Sequence, residues 1–314
     1  LNTSEGSAEL CPELVSALES LYVAEPADQA AFAESHAVVA GTAEAAAIEA
    51  SLATISTLDE IARLIRDAPL KELARGGLNA GDSARLSVLM PSPEVTATHV
   101  LALGSLGGLL SKQQGIWLAS ANLDQWLELD TAARWQHLAQ AWLTGQPEMV
   151  VHVLRTRIAW GSQLTEFLAN EFPVDHSWIE TDLAQALETA ELLALSSKGT
   201  VTELGRSVLT GTWSDALGRV TALVPPFTEH VYVQHDFTIV APGPLAPADD
   251  VFMRQLCTVD SRGLATTFRL TPAGVNKLLS SGLDAASILQ QLQLQVQLFL
   301  DLVELRLEKR ESRH

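Results

Sequence analysis

Twice in this chain a long helical stretch runs directly into a short β-prone hairpin. The first occurrence is "SPEVTATHVLALGSLGGLL" followed by "SKQQGIWLASANLDQWL", with Lys112 to Gly115 as the turn. The second is "HSWIETDLAQALETAELLAL" followed by "SSKGTVTELGRSVLTG". There Leu193, Ala194 and Leu195 are expected to rise into a strand, Ser196 to Gly199 to turn and Thr200 to Thr202 to return, with a new helix starting at Thr202.

Helices come before the first hairpin too. "TLDEIARLIRDAP" is expected to open on an N-cap at Thr57, with Glu60 three residues on, and it places Leu58, Ile61, Leu64 and Ile65 on one face. "PLKELARG" and "AGDSARLSVLM" read as two shorter helical stretches. Helices followed by a two-stranded hairpin give the winged-helix order. The pattern returns after a linking helix, "TAARWQHLAQAWLTG", with Trp135 and Trp142 one heptad apart, and a helical "SQLTEFLANEF". The expected fold is therefore mainly α: tandem winged-helix-like units followed by a small α+β module. The expected divisions are an acidic helical segment over 1–55, unit one with its linking helix over 56–144, unit two over 145–222, and the module with a C-terminal helix over 223–314.

Charge narrows the partners. The formal net charge is −18, and residues 1–50 hold nine Asp or Glu and no Lys or Arg. Such a field repels phosphate at long range, so contact with nucleic acid requires a local basic stripe. The helix before each hairpin supplies none: Pro93 to Leu110 carries Glu94 and His99, and Ser177 to Leu193 carries Glu180, Asp182, Glu188 and Glu191. Arg155, Arg157, Lys198 and Arg206 are candidates to gather at the second hairpin, and Arg254, Arg262, Arg269 and Lys277 to form a patch on the α+β module. The candidate nucleic-acid-binding residues are Arg262, Arg269, Lys277, Arg254, Lys198 and Arg206; the other reading of all of them is ordinary solvated charge. The seven tryptophans read as core and not as stacking platforms.

"HVYVQHDFTIVAPGPL" stands apart, because β-branched and aromatic residues crowd there. A strand over it places Val231, Val233, His235, Phe237 and Ile239 on one face and Tyr232, Gln234, Asp236, Thr238 and Val240 on the other. His235 and Asp236 then cannot bond to each other as a catalytic pair. Asp236 is read either as a local cap for the amides of the following "APGPL" turn or as part of an interaction surface. Beyond it, "APADDVFMRQLCTVD" reads as helix, "RGLATTFRL" as strand, and "TPAGVNKLLSSG" and "DAASILQQL" as helices, with Thr271 as N-cap and Pro272 at the first helical position.

Over 229–292 the chain resembles the helicase-associated domain of XPB-type DNA repair helicases and their actinobacterial relatives. The resemblance rests on Gln234, Asp236, Thr238, the turn that includes Pro242 and Gly243, Asp260-Ser261-Arg262-Gly263, Phe268-Arg269-Leu270-Thr271 and "GLDAASIL". It implies DNA binding or docking of an XPB-type helicase in DNA repair. From "QLQVQLFLDLVELRLEKRESRH" onward the chain departs from that pattern.

No G-x-x-x-x-G-K-[ST] phosphate loop, H-E-x-x-H or G-x-S-x-G occurs in these 314 residues, so no enzymatic activity, cofactor or metal is expected. Two distant cysteines and the lack of any long uncharged apolar run point to a cytoplasmic chain with no membrane span. The leading expectation is a non-catalytic helicase-associated accessory protein that binds DNA, docks the helicase, or does both. The alternative is an acidic protein-interaction scaffold that never contacts nucleic acid. A homodimer through the C-terminal helix is possible on either reading, since that helix spreads apolar residues around its surface.

Overall fold

A computed structural model of the chain describes residues 2–4, 7–9, 38–73, 76–160, 164, 176–261 and 265–295. The described residues are mainly helical, with a small sheet-containing region toward the C-terminal end. Asn2–Ser4 (β1) pairs antiparallel with Ser7–Glu9 (β2). Most of the acidic segment expected over 1–55 lies outside the described residues.

Helix α1, Gly41–Asp67, is the spine. Its Ala-rich first half has high helix propensity, and Ile48, Ile55, Leu58, Ile61, Ala62 and Ile65 form one buried stripe along it. The helix start expected at Thr57 is corrected: Thr57 lies mid-helix, its hydroxyl against the carbonyls of Ala53 (3.0 Å) and Leu89 (3.1 Å). A threonine hydroxyl that can cap a helix can also bond back to the carbonyl four residues earlier within one, as Thr57 does. The expected division between residues 55 and 56 falls inside α1.

Strand β3 (Leu70–Lys71), helices α2 (Ala80–Ser87) and α3 (Ala97–Leu106), and strands β4 (Leu110–Gln113) and β5 (Ile116–Ala119) follow, with sheet order β3-β5-β4. The hairpin turn is shorter than the expected Lys112 to Gly115, since Lys112 and Gln113 pair within β4: Gln114 and Gly115 both have positive φ, 51° and 76°, the conformation that lets a two-residue loop match strand twist. The described residues of "PLKELARG", 69–73 and 76, are not helical. Leu70 pairs with Trp117 across the sheet, and Glu72 accepts from Trp117 Nε1 (2.8 Å) and Lys112 Nζ (2.9 Å).

Helices α4 (Leu123–Glu128), α5 (Thr131–Gly145), α6 (Glu148–Thr156) and α7 (His176–Leu192) lead to strands β6 (Ser196–Ser197) and β7 (Thr200–Val201). Helices α8 (Glu203–Thr210) and α9 (Trp213–Thr221) complete this half. "SQLTEFLANEF" falls almost wholly outside the described residues. Leu193 to Leu195 form a turn and not a strand, with Ala194 at φ 59°, which shortens the expected hairpin to Ser196–Val201. Thr202 caps α8 as expected, accepting from Gly205 N at 2.9 Å.

Tryptophan holds this half together. Trp126, Trp135, Trp142 and Trp160 are fully buried and Trp117 nearly so. Trp135 and Trp142 donate to the carbonyls of Leu193 (3.0 Å) and Ala186 (2.9 Å). Donors and acceptors are both one heptad apart and run in opposite senses, so α5 and α7 lie antiparallel. Glu44, also buried, joins α1 to the same half: it accepts from Leu204 N (2.7 Å) in the first turn of α8 and pairs with Arg219 (2.8 Å).

The C-terminal region has its own core, built from Val231, Ile239, Phe252, Met253, Leu256, Phe268 and Ile288. Strands β8 (Tyr232–Val233), β9 (Thr238–Ala241), β10 (Cys257–Ser261) and β11 (Thr266–Leu270) form an antiparallel sheet in the order β10-β11-β9-β8. Helices α10 (Pro247–Leu256), α11 (Pro272–Ser280) and α12 (Ala285–Gln295) accompany it. Two readings are corrected. "CTVDS" is strand, because the backbone turns extended at Cys257 (φ −125°, ψ 160°). Residues 231–240 are not one strand but a hairpin, with Gln234 to Phe237 as its loop and Phe237 at φ 65°. Gln234 N donates to Thr238 O (2.7 Å) and Phe237 N to Gln234 O (3.2 Å), which closes the loop.

Candidate functional site

Two places gather charge: the joint between α1 and the C-terminal sheet region, and a groove beside β7. At the joint, α10 lies between both apolar cores. Val251 packs on the larger core, while Phe252, Met253 and Leu256 face the smaller one. A cavity of about 180 Å³ lies alongside, lined by residues of α1, by Leu129 and Arg134, and by Gly243, Pro244 and Leu245. The "APGPL" turn therefore faces the spine across that cavity.

Ion pairs span this joint. Asp250 pairs with Arg63 (3.0 Å) from α1 and with Arg254 (2.7 Å) one turn along α10, and Arg254 reaches Glu60 at 3.0 Å. Deeper in, Asp59 pairs with Arg134 and accepts from Trp126 Nε1 at 2.6 Å. Arg134 also donates to the carbonyls of Trp126 (3.2 Å) and Leu127 (2.8 Å). Burial pushes the Asp59 carboxyl above its ordinary value, against the downward pull of Arg134 and Trp126. Each charge here has a partner of opposite sign, the arrangement that buried charge requires.

Arg254 is thereby removed from the candidate nucleic-acid contacts. Its guanidinium is turned into the joint and mostly buried, held by two carboxylates. Arg269 lies on the face of β11 opposite buried Phe268 and pairs with Asp260 at 2.7 Å. Lys277 is exposed in the last turn of α11. Arg262 lies outside the described residues. Arg254 and Arg269 thus point to different sides of the module and do not converge.

Gln234, Asp236 and Thr238 do come together, in the β8–β9 loop. Asp236 Oδ1 accepts from Thr238 N at 3.1 Å, so the carboxylate caps its own loop and not the "APGPL" turn. Hydrogen bonds from the Thr238 hydroxyl and amide hold the Asp236 carboxyl below its usual range. Pro242 and Gly243 sit in the next turn, which Thr228 N fixes by donating to Pro244 O at 2.7 Å. His235 is in the loop too, so strand alternation is not what separates it from Asp236. Asp236 is committed to Thr238 instead.

The second place is an open groove of about 560 Å³ between the end of α6 and the exposed side of α8. Arg155, Arg157 and Arg206 line it, with Leu154, Ile158 and Leu209, and no Asp or Glu is among its described lining residues. Arg155 Nε donates to Leu209 O at 2.9 Å, which fixes the side chain without using its two terminal nitrogens. Ile158 O accepts from Val201 N (2.9 Å), and Trp160 Nε1 donates to Arg157 O (2.8 Å), so the groove wall is tied to β7. Lys198 is not among the lining residues. It forms the adjacent β6–β7 turn at φ 50°, where its amide donates to Glu191 (2.9 Å). The sequence groups Arg155, Arg157 and Arg206 but has no means of showing the groove, which depends on the α6–β7–α8 packing.

The helices before the two hairpins meet each other. His99 in the first turn of α3 bonds to Glu188 of α7 at 2.9 Å. Burial pushes the Cys257 thiol up to about 12, so it is no thiolate at neutral pH. No helix among the described residues is long and apolar enough to cross a membrane, and no group of three His, Cys, Asp or Glu there is placed to hold a metal.

Residues 231–298 match the family described as the helicase conserved C-terminal domain. The match covers less than a quarter of the chain and opens at Val231, the residue that starts the smaller core. It supports a helicase-associated region there. No curated protein matches the chain significantly.

Proposed function

We propose that this chain is a non-catalytic accessory component of a helicase system, which places DNA, the helicase, or both against a rigid frame. The observation that carries the reading is the joint. A region similar to a helicase C-terminal domain is fixed to a larger helical body by the Asp250–Arg63 and Arg254–Glu60 pairs, which the Asp250–Arg254 pair links within α10. An ion-paired and packed joint suits a part that holds other molecules in register.

In this reading the helical body is two winged-helix units. Support comes from the order α1, β3, α2, α3, β4, β5 with sheet order β3-β5-β4, and from the second hairpin, where an Ala159–Thr200 bridge stands in the place of β3. The usual docking helix of such a unit enters the major groove. Here α3 and α7 are poor candidates, since neither carries Lys or Arg and they bond to each other through His99 and Glu188. Catalysis has no place in the proposal, because the chain contains no phosphate loop.

The relation to XPB-type repair helicases is the finer part of the proposal. The test is fluorescence anisotropy with single-stranded, duplex and forked DNA at about 50 mM salt, where phosphate contacts are strongest. Binding that weakens steeply with salt is expected. Absence of binding to all three removes the DNA half of the reading, and failure to co-purify with an XPB-type helicase then removes the rest. The chain's acidity favours a second reading, a scaffold that docks proteins alone, and that scaffold predicts helicase capture without any DNA binding.

A further inference from the structure

We propose that the groove between α6 and α8 is a phosphate site that takes the phosphodiester backbone of a nucleic-acid strand. The inference rests on the accessory reading above and goes further, since it assigns the contact to a surface away from α3 and α7. Three guanidiniums line one groove in a chain of net charge −18, with no carboxylate among the described lining residues. Guanidinium is planar and forked, so it grips phosphate oxygens two at a time and holds its charge at any physiological pH.

The arginines come from different elements. Arg155 lies in the last turn of α6, Arg157 follows the helix, and Arg206 stands on the exposed face of α8. The Arg155 bond to Leu209 O presets its direction before any ligand arrives, which lowers the ordering cost of binding. At about 560 Å³ the groove is far larger than one phosphate needs. Leu154 and Leu209 are buried and Ile158 is half-buried, so Ile158 leaves a small apolar floor between the charges, suited to the sugar or base of a strand whose phosphates lie on the arginines. An acidic peptide offers charge for the guanidiniums but a polar side chain for that floor, so a strand is the better match.

The experiment uses the full chain and a labelled oligothymidylate, with anisotropy followed from low to moderate salt. Replacing Arg155, Arg157 and Arg206 by Gln is expected to weaken binding at least tenfold at about 50 mM salt. The slope of log K against log salt should become shallower by about 0.7 for each arginine that contacts a phosphate. The matching Arg→Lys variant keeps most of the slope. Arg206→Gln alone, at an exposed position, gives the same direction of change if the triple variant folds poorly, with circular dichroism as the control.

If the parent protein binds the strand while the Gln variants bind it equally with an unchanged slope, the groove assignment is wrong and DNA contact lies elsewhere. If the parent binds no strand at all, the DNA reading itself fails and the assignment goes with it. Adenosine monophosphate or inorganic phosphate binding as tightly as the strand points to a small-ligand pocket, and a polyglutamate peptide binding as tightly points to a protein segment. Either result overturns the proposal.

Discussion

Among single residues, two glycines carry more of the fold than their size suggests. Thr202 and Thr271 each cap a helix by accepting from the amide three residues on, Gly205 at 2.9 Å and Gly274 at 3.1 Å. At both glycines the space a side chain needs is taken by a carbonyl. A Cβ on Gly205 falls 1.9 Å from Leu195 O, and one on Gly274 falls 2.0 Å from Leu256 O. These are backbone atoms, so relief requires moving the helix start against a well-packed neighbour. Gly205→Ala and Gly274→Ala are each expected to cost about 1–3 kcal/mol, the range for overpacking a core. Gly218→Ala is the control, since a Cβ there meets nothing within 4 Å and the residue sits within α9. Urea denaturation decides it, and equal midpoints for the Gly205 and Gly218 variants refute the close-packing argument.

Between elements, the antiparallel α5–α7 pair offers the clearest test of what the tryptophans do. Trp142→Phe keeps a large ring but leaves Ala186 O without the indole N–H donor. A loss of about 0.5–1.5 kcal/mol is expected in thermal or urea unfolding, the net contribution of one hydrogen bond, because Ala186 O keeps its backbone partner within α7. A variant as stable as the parent protein shows that the indole bond contributes nothing. The same elements show how far the sequence is legible. The heptad spacing of Trp135 and Trp142 and the Thr202 and Thr271 caps are local chemistry, and the structure has each of them where the residues place it; the first hairpin turn falls within the expected Lys112 to Gly115 but takes only Gln114 and Gly115. Strand β3 is hidden because two residues show no alternation, and Thr57 misleads because a capping side chain also tolerates a helix interior. The β8–β9 hairpin is hidden because Phe237 takes a left-handed φ that a sequence rarely advertises in an aromatic residue. Arg254 misleads for a different reason. Its partners Glu60 and Asp250 lie on separate helices, and only their packing shows that an arginine of this region is structural.

Across the molecule as a whole, the buried charges at and beside the joint hold its parts in register. Arg134 is the cation beside Asp59, and it also ties down the carbonyls at the end of α4. Replacing it with Met keeps bulk but strands a buried carboxylate, for which about 3–5 kcal/mol is expected at pH 7. The pH dependence follows from the direction of the Asp59 shift. A carboxyl whose folded value lies above its unfolded one subtracts from stability fully at higher pH, and the penalty fades as pH falls through the folded value toward the ordinary one. Removing Arg134 deletes the largest downward pull on that carboxyl, so the shift grows. The deficit of Arg134→Met relative to the parent protein should therefore shrink as the pH is lowered from about 7 toward about 5, measured as the difference in urea unfolding free energy at each pH. Adding Asp59→Asn to Arg134→Met should recover part of the deficit at neutral pH, because the uncompensated charge is gone while an oxygen stays available to Trp126 Nε1. A deficit of the same size at both pH values and in both backgrounds means that Arg134 acts through packing and its carbonyl bonds alone. The Asp59 charge would then have no part in fixing α1 against α4 and α5.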